Sequence, residues 1–208
     1  MGEPRRVTRL RSGRGSRAIG DGSIVAHLDG RFRRFLADLD RREGYVPGHS
    51  VAVCEHALAI ARELEVREAE LPALALGALL HDIGKVFIQT KLLSKSGPLA
   101  RVEAEAIRLH TVLGEAFLKP TIADATVLAV VRSHHERWDG NGYPDGLGGY
   151  GIPLAARIVA TADAFIAMRE ARPYRRALAL DEVVDELQRS APSQLDSFCV
   201  SALLDSVA

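Results

Sequence analysis

Residues 71–85 of the chain read LPALALGALLHDIGK, and this stretch decides the kind of fold. Its first ten residues are apolar nearly all round, and a helix with so little polar surface belongs in the centre of a fold. We predict a buried helix over about 68–82, which Gly84 ends. His81 and Asp82 therefore lie at the end of the most apolar helix of the chain. A carboxylate buried there is costly unless a positive charge neutralises it.

Helical periodicity also governs the sequence on both sides of this stretch, and strand-like alternation is almost absent. The fold is therefore predicted to be all-α, a bundle of about seven to eight helices whose polar ligand groups project toward a common point. A loop follows Gly84, and the glycine-rich loop DGNGYPDGLGG covers 139–149. The other predicted helices cover 22–42, 47–65, 100–118, 122–136, 153–170, 180–190 and 195–207.

The composition is that of an ordinary globular protein: 208 residues, of which 47% are hydrophobic and 26% charged. No apolar run approaches the roughly 18 residues that a membrane span needs, and no signal-peptide core is present near the N-terminus. The two cysteines, Cys54 and Cys199, lack metal-type spacing. We interpret them as free thiols and expect a reducing, cytoplasmic location.

Residues 1–20 differ from the rest in charge. They hold six arginines and one glutamate, a net charge of +5, whereas residues 21–208 carry −5. An Arg/Gly/Ser segment without apolar periodicity is predicted to be disordered. Contact with nucleic acid is the alternative, but a solvated leader is the better interpretation. We therefore divide the chain into a tail over 1–20 and one folded domain over 21–208.

Side chains that can bind metals recur on the apolar helical segments. An isolated His-Asp pair is most often a hydrogen-bonded structural pair, but here five histidines and two aspartates share such positions. Neutral imidazole and carboxylate suit iron, manganese, zinc or nickel, and no cysteine is needed. Seven ligands exceed what one ion accepts, so we predict two divalent ions. The candidate ligands are His49, His81, Asp82, His110, His134, His135 and Asp163.

Two neighbouring ions would define a particular chemistry. Adjacent helical residues diverge by about 100°, so His134 and His135 could serve different ions, while Asp82 could bridge the pair. Ions in such centres lie roughly 3.5–4 Å apart, and a hydroxide that bridges them is a nucleophile for phosphoryl chemistry.

Cations near these ligands could hold the phosphate. Lys85 follows Asp82 by three residues and could bind a phosphate oxygen in the transition state. Arg172, Arg175 and Arg176 come just after the helix with Asp163 and could add anion contacts. Each of these cations, taken alone, would usually be a surface charge.

The order of these motifs resembles the HD-GYP domain, a bacterial subgroup of the HD phosphohydrolase superfamily. The residues HDIGK at 81–85 and HHERWDGNGYP at 134–144 carry most of the resemblance, which covers about 43–190. An ordered series of this kind is far more specific than a lone His-Asp pair. Shorter matches are KSGPL at 95–99, His110 with Gly114, IPLAARI at 152–158 and RPYR at 172–175.

The resemblance implies a helical fold around two or three metals, often iron or manganese, and hydrolysis of the signalling nucleotide cyclic di-GMP to pGpG, in some members onward to GMP. It implies that the seven candidates above are the metal ligands and that Asp82 and Lys85 are catalytic. Substrate contacts are implied for Lys85, Tyr143, Arg172 and Arg175. In some members the Gly-Tyr-Pro loop also docks a partner, such as a diguanylate cyclase domain.

Two positions depart from the family pattern. Members with a third metal carry a glutamate where this chain has Tyr45, so two ions are expected. The family usually has a second aspartate where Ile166 stands, and in that pattern it helps bind the nucleotide. Because isoleucine cannot accept a hydrogen bond, a base N–H directed at it would cost about 1–3 kcal/mol.

Three functions are therefore compatible with the sequence: a cyclic di-GMP phosphodiesterase, a phosphohydrolase for another nucleotide, and a module without catalytic activity that docks a partner protein. Four polar residues are given no chemical role. His27 and His56 match no ligand position, and we expect His56 to pack or to support a ligand. Glu136 and Asp139 are expected to brace the glycine-rich loop.

Overall fold

The computed structural model describes residues 29–42, 44–171, 176–191 and 193–207, and over these ranges every regular element is helical. The all-α fold predicted from the sequence is confirmed, and each of the eight predicted helices has a counterpart. Residues 1–20 and the predicted start of the first helix lie outside the described ranges. The α-helices are α1 (Gly30–Asp40), α2 (His49–Glu63), α3 (Leu71–Leu80), α4 (Thr90–Leu93), α5 (Arg101–Arg108), α6 (His110–Leu118), α7 (Ala125–Ser133), α8 (Leu154–Arg169), α9 (Leu180–Ser190) and α10 (Ser197–Val207), with 3₁₀ turns at Glu68–Glu70, Ile83–Phe87 and Gly149–Gly151.

Helix α3 lies at the centre of the bundle, as its apolar sequence predicts. Leu74, Ala78 and Leu80 are almost completely buried, and the helix packs against both α2 and α7. Gly77 permits the close approach to α7, because a Cβ at this position would come within 2.9 Å of the Val130 Cβ. The end of α3, which carries the His-Asp pair, is therefore held in the interior.

The 3₁₀ turn at Ile83–Phe87 follows this pair and packs against α6. A Cβ at Gly84 would lie only 1.9 Å from the main-chain oxygen of His110. A side chain at position 84 would thus push the pair away from the start of α6. This turn and the short helix α4 both lie in the segment that the sequence predicts as a loop.

The single helix predicted over 100–118 is two helices, α5 and α6, with a break at Leu109. Side chains at the break take carbonyl oxygens that a continuous helix would use: the His110 Nδ1 lies 2.7 Å from Ile107 O, and the Thr111 hydroxyl donates to Arg108 O at 3.2 Å. Such local competition with the main-chain ladder ends helices. As a result, His110 stands at a helix start rather than in a helix middle.

The long helix α8 packs against α2 and α7, and α9 and α10 in turn pack on α8, with α10 also contacting α2. Helices α2, α3, α7 and α8 therefore converge on one interior region. Among the described helices, none combines the length and the apolar character that crossing a bilayer requires.

Candidate metal centre

The seven side chains predicted as ligands converge in this interior region. They form two groups, and within each group the potential ligand atoms all lie within 4.8 Å of one another. We call His49, His81 and Asp163 group A, and Asp82, His110, His134 and His135 group B. Most of these residues stand at helix ends: His49 begins α2, His81 and Asp82 follow α3, His110 begins α6, and His134 and His135 follow α7, while Asp163 lies within α8.

Asp82 connects the two groups through its two carboxylate oxygens. Its Oδ1 lies 3.4 Å from the Nε2 of His110 and 4.0 Å from that of His134, both in group B. Its Oδ2 lies 3.4 Å from the Nε2 of His81 in group A. The side chain is only 2% exposed. Each group thus receives one oxygen of the same carboxylate, which is the arrangement that a bridging ligand requires.

Hydrogen bonds to the main chain fix the tautomer of three of the histidines. The Nδ1 of His81, His110 and His134 each lies near a carbonyl oxygen of the preceding helical turn. Because a carbonyl can only accept, Nδ1 must carry the hydrogen, and Nε2 is left with a lone pair directed into the centre. The accepting carbonyls belong to Ala78 (2.7 Å), Ile107 (2.7 Å) and Val130 (3.1 Å), respectively.

These lone pairs face other acceptors. The Nε2 atoms of His110 and His134 lie 3.4 Å apart, and among the described residues the Nε2 of His81 and the Oδ1 of Asp82 are buried without a hydrogen-bond partner. Leaving a buried polar atom unpaired costs about 1–3 kcal/mol. Divalent cations between these atoms would remove the repulsion and satisfy them all, so the residues present fit a metal centre.

Burial keeps the histidines of group B neutral. It lowers the pKa of His110 to about 4 and that of His135 to about 3, and it holds the pKa of His134 well below its usual value. Group A differs. Burial lowers the pKa of His49, but hydrogen bonds to Asp163 and Glu170 outweigh this effect and raise it to about 10.

We expect the metal-free protein to lose stability as the pH falls from about 6.5 toward 4. Unfolded His110 and His135 titrate near 6.5, and their folded pKa values of about 4 and about 3 are lower, so the unfolded state binds more protons in this range. His49 adds little slope well below pH 6.5, because its folded pKa is about 10 and the unfolded ring is already protonated there. The loss is about 1.4 kcal/mol per histidine and pH unit. Urea unfolding of chelator-treated protein at a series of pH values measures it, and a flat profile would contradict the assignment.

The grouping differs from one expectation based on the sequence. His134 and His135 were expected to be able to serve different ions, because adjacent helical residues diverge. Both belong to group B, since α7 ends at Ser133 and His135 lies beyond the helix, where the angular rule no longer applies.

Tyr143 of the glycine-rich loop covers one side of group B. Its ring stacks on His135 with the ring centroids 4.9 Å apart, and the guanidinium of Arg108 lies 5.1 Å from the centre of the Tyr143 ring. A pocket of about 260 Å³ opens here, lined by these residues together with Asp163.

A larger cavity of about 800 Å³ contains Lys85, Lys95 and Tyr45. The Nζ of Lys85 donates to the Oδ2 of Asp82 at 2.6 Å, and its side chain is 22% exposed. The charge of Lys85, although burial opposes it, holds the pKa of Asp82 well below its usual range. The lysine thus lies between the cavity and the carboxylate that joins the two groups.

Other residues singled out in the sequence have simpler positions. Glu136 accepts hydrogen bonds from the N–H groups of residues 145 and 147, and Asp139 pairs with Arg137; both brace the loop as predicted. His56 packs against a phenylalanine ring with the centroids 4.9 Å apart, as predicted for a histidine that is not a ligand. Arg176 pairs with Glu182 instead of facing the centre. Arg172, Arg175 and His27 lie outside the described residues.

Two residues near the centre were missed in the sequence. Arg108 precedes His110 by two residues, and Glu170 follows Asp163 by seven, which is close to two helical turns. Glu170 caps the end of α8 and contacts the same histidine as Asp163, and this spacing of about two turns could have drawn attention to the glutamate. For Arg108 the sequence offered no comparable signal.

The fold and the centre define a class of protein: a helical bundle in which a buried His-Asp pair and further histidines at helix ends surround a metal-type site. Residues 26–198 match the family model described as an HD domain. The chain therefore belongs to the HD-domain family, and the HD-GYP resemblance noted in the sequence is confirmed by its relatives.

Two curated relatives and one solved structure illustrate this. The 3'3'-cGAMP-specific phosphodiesterase 3 of Vibrio cholerae is 35% identical over 86% of this chain and 39% of its own length. The cyclic di-GMP phosphodiesterase response regulator RpfG of Xanthomonas campestris is 38% identical over 85% of this chain and 48% of its own length. The crystal structure of a V. cholerae cyclic GMP-AMP phosphodiesterase aligns with a TM-score of 0.66 at 21% identity, over 85% of this chain and 48% of that one. This chain thus spans less than half the length of these three proteins.

Proposed function

We propose that the chain binds two divalent metal ions and hydrolyses a phosphodiester bond of a cyclic dinucleotide, with cyclic di-GMP as the leading substrate and linear pGpG, and onward GMP, as products. The observation that carries this proposal is the placement of Asp82, whose two oxygens face separate groups of histidines at 3.4 Å. The family assignment supports it, because relatives that match most of this chain are named as phosphodiesterases of cyclic dinucleotides.

The proposed ligand sets follow the two groups. One ion would be held by His49, His81 and Asp163, the other by His110, His134 and His135, with Asp82 shared between them. This donor set fits iron or manganese, and zinc or nickel are alternatives. When bound, such a pair supplies Lewis-acid polarisation of the phosphodiester and a nucleophile derived from water.

The surrounding side chains would bind and orient the substrate. Lys85 pairs with Asp82 and lines the large cavity. There its ammonium can bind an oxygen of the scissile phosphate. Tyr143, stacked on His135, offers an aromatic edge at the second opening. By their match to the family motif we also assign substrate contacts to Arg172 and Arg175. The place of a third-metal glutamate is taken by Tyr45, whose hydroxyl pairs with Ser50 at 2.8 Å.

A second candidate substrate is 3',3'-cGAMP, because one of the relatives is named as a phosphodiesterase specific for it. Ile166, which is 8% exposed and belongs to the apolar core, removes one reason to prefer cyclic di-GMP over it. The position where the family usually has a nucleotide-binding aspartate is thus apolar and offers no hydrogen bond to a base. Loss of one such contact would shift the choice among cyclic dinucleotides without changing the metal ligands.

Metal analysis coupled to a turnover assay tests the proposal. The protein would be reconstituted anaerobically with iron or manganese, analysed for metal, and supplied with cyclic di-GMP, 3',3'-cGAMP and pGpG. We expect two ions per chain and hydrolysis of at least one cyclic dinucleotide. Fewer than one ion per chain would overturn the proposal. Two ions without binding of any nucleotide would favour a module that docks a partner, such as a diguanylate cyclase domain, through the Gly-Tyr-Pro loop. We also propose a cytoplasmic location, which the buried free thiols of Cys54 and Cys199 support.

The variant Ile166→Asp tests the role of the substituted position. We expect cyclic di-GMP to bind about tenfold more tightly, since a restored hydrogen bond to a carboxylate is worth about 1.5 kcal/mol or somewhat more. The melting temperature should fall, because the new carboxylate replaces a side chain that is only 8% exposed. Calorimetric titration with cyclic di-GMP and 3',3'-cGAMP measures the first effect. Ile166→Ala is the control for lost packing, and an affinity for cyclic di-GMP that is unchanged or weaker in Ile166→Asp would mean that position 166 only fills the core.

A further inference from the structure

The histidines of the centre differ in the group that accepts a hydrogen bond from Nδ1. In His81, His110 and His134 the Nδ1 donates to a main-chain carbonyl, as described above. In His49 the Nδ1 lies 3.0 and 3.1 Å from the two carboxylate oxygens of Glu170. A carboxylate accepts a stronger hydrogen bond than a neutral carbonyl does. Among these four histidines, His49 alone has a carboxylate as the hydrogen-bond partner of its Nδ1.

One helix supplies both carboxylates that contact His49. Asp163 lies within α8 and approaches the Nε2 at 3.1 Å, while Glu170 directly follows α8 and approaches the Nδ1. Glu170 comes seven positions after Asp163, a separation of about 700° or close to two helical turns, and both carboxylates reach the same imidazole. Their exposures are 18% and 13%, and that of the His49 side chain is 5%. The imidazole is thus held at both nitrogens in a largely buried place.

We propose that Glu170 is a positioning residue for the group A metal ion, a role that rests on the proposed two-metal function. By accepting from Nδ1 it orients the ring so that the His49 Nε2 is directed toward Asp163 and His81, and in the neutral ring that would bind a metal it would increase the basicity of that nitrogen. In group B, the described partners of the His110 and His134 Nδ1 atoms are carbonyls. The two metal positions are therefore unequal, because a described histidine of group A has a carboxylate as the partner of its Nδ1 and the described partners in group B are neutral.

The expected size of the effect follows from comparable arrangements. Carboxylates that accept from the second nitrogen of a ligating histidine typically contribute 10–100-fold in metal affinity. We expect Glu170→Ala to weaken the group A ion by about this factor and to leave the group B ion within about twofold of the wild type. Glu170→Gln keeps an accepting oxygen of the same reach but no charge, so its affinity should fall between the other two.

Competition titrations of the full chain with Zn²⁺ and a chromophoric chelator measure both positions, and the Co²⁺ absorption spectrum reports the ligand field of each ion. Glu55→Gln is the matched control, because it removes an exposed carboxylate from the helix that carries His49. A weakening confined to one of the two ions, partly restored in Glu170→Gln, supports the proposal. Equal loss of both ions, or unchanged affinities in both Glu170 variants, overturns it. If the wild-type protein itself binds fewer than two ions, the two-metal function fails, and that outcome is visible before any variant is compared.

Discussion

Replacing Asp82 with alanine is expected to reduce the metal content from two ions per chain to fewer than one. Its Oδ1 faces His110 and its Oδ2 faces His81, both at 3.4 Å, so one substitution removes a ligand from both positions. Hydrolysis of a cyclic dinucleotide should fall by more than about three orders of magnitude, because in the proposed function both the nucleophile and the polarisation of the phosphate would depend on the ions. His81→Ala should likewise reduce metal binding at group A, and it should disturb the neighbouring Asp82.

The same variant should also lose the stability that the metals confer. A ligand that binds only the folded state adds about 4 kcal/mol when it is present at a thousand times its Kd, so the metal-dependent part of the melting temperature should disappear in Asp82→Ala. Elemental analysis, thermal unfolding with and without added metal, and turnover are the measurements. Asp38→Ala, which removes an exposed carboxylate on α1, is the control. Retention of two ions in Asp82→Ala would refute the bridging role.

The central part of the fold could be predicted because its sequence leaves few choices. Leu74, Leu79 and Leu80 belong to a helix with almost no polar face, and such a helix can only be buried. The His-Asp pair at its end then had to lie in the interior, and an interior carboxylate needs a cation. That reasoning led to seven candidate ligands, and these are the residues that form the two groups.

What the sequence could not provide is the detail that depends on where a helix ends. His134 and His135 fall in one group because α7 stops at Ser133, and periodicity continues smoothly through such an end. The break at Leu109 likewise arises from side chains of His110 and Thr111 that capture carbonyl oxygens. These helix ends depend on competing hydrogen bonds that differ by a few kcal/mol or less. The pattern of apolar residues in the sequence does not reveal such differences.

Lys85 carries the other large expected effect. In the structure its ammonium donates to Asp82 at 2.6 Å and also lies 5.7 Å from the centre of the Tyr45 ring, inside the large cavity. In this arrangement it is a counter-ion for a buried carboxylate. Two divalent ions held by the centre would neutralise Asp82, and the ammonium would then be able to contact a phosphate oxygen in the cavity. In the proposed catalytic role, the Lys85 ammonium would therefore contact the phosphate in place of Asp82.

We expect Lys85→Ala to retain two ions per chain while kcat for the cyclic dinucleotide falls about a hundredfold or more, the loss that follows removal of one preorganised donor to a developing negative charge. KM should change less, because the contact strengthens as the phosphate gains charge. Lys95→Ala is the matched control: this lysine lines the same cavity but pairs with Glu103, so its removal should affect kcat far less. Steady-state kinetics and elemental analysis on the same preparations separate the possible results. If metal content falls together with the rate, Lys85 maintains the centre rather than binding phosphate, and if the rate at saturating substrate is unchanged, it is a charge without a catalytic role.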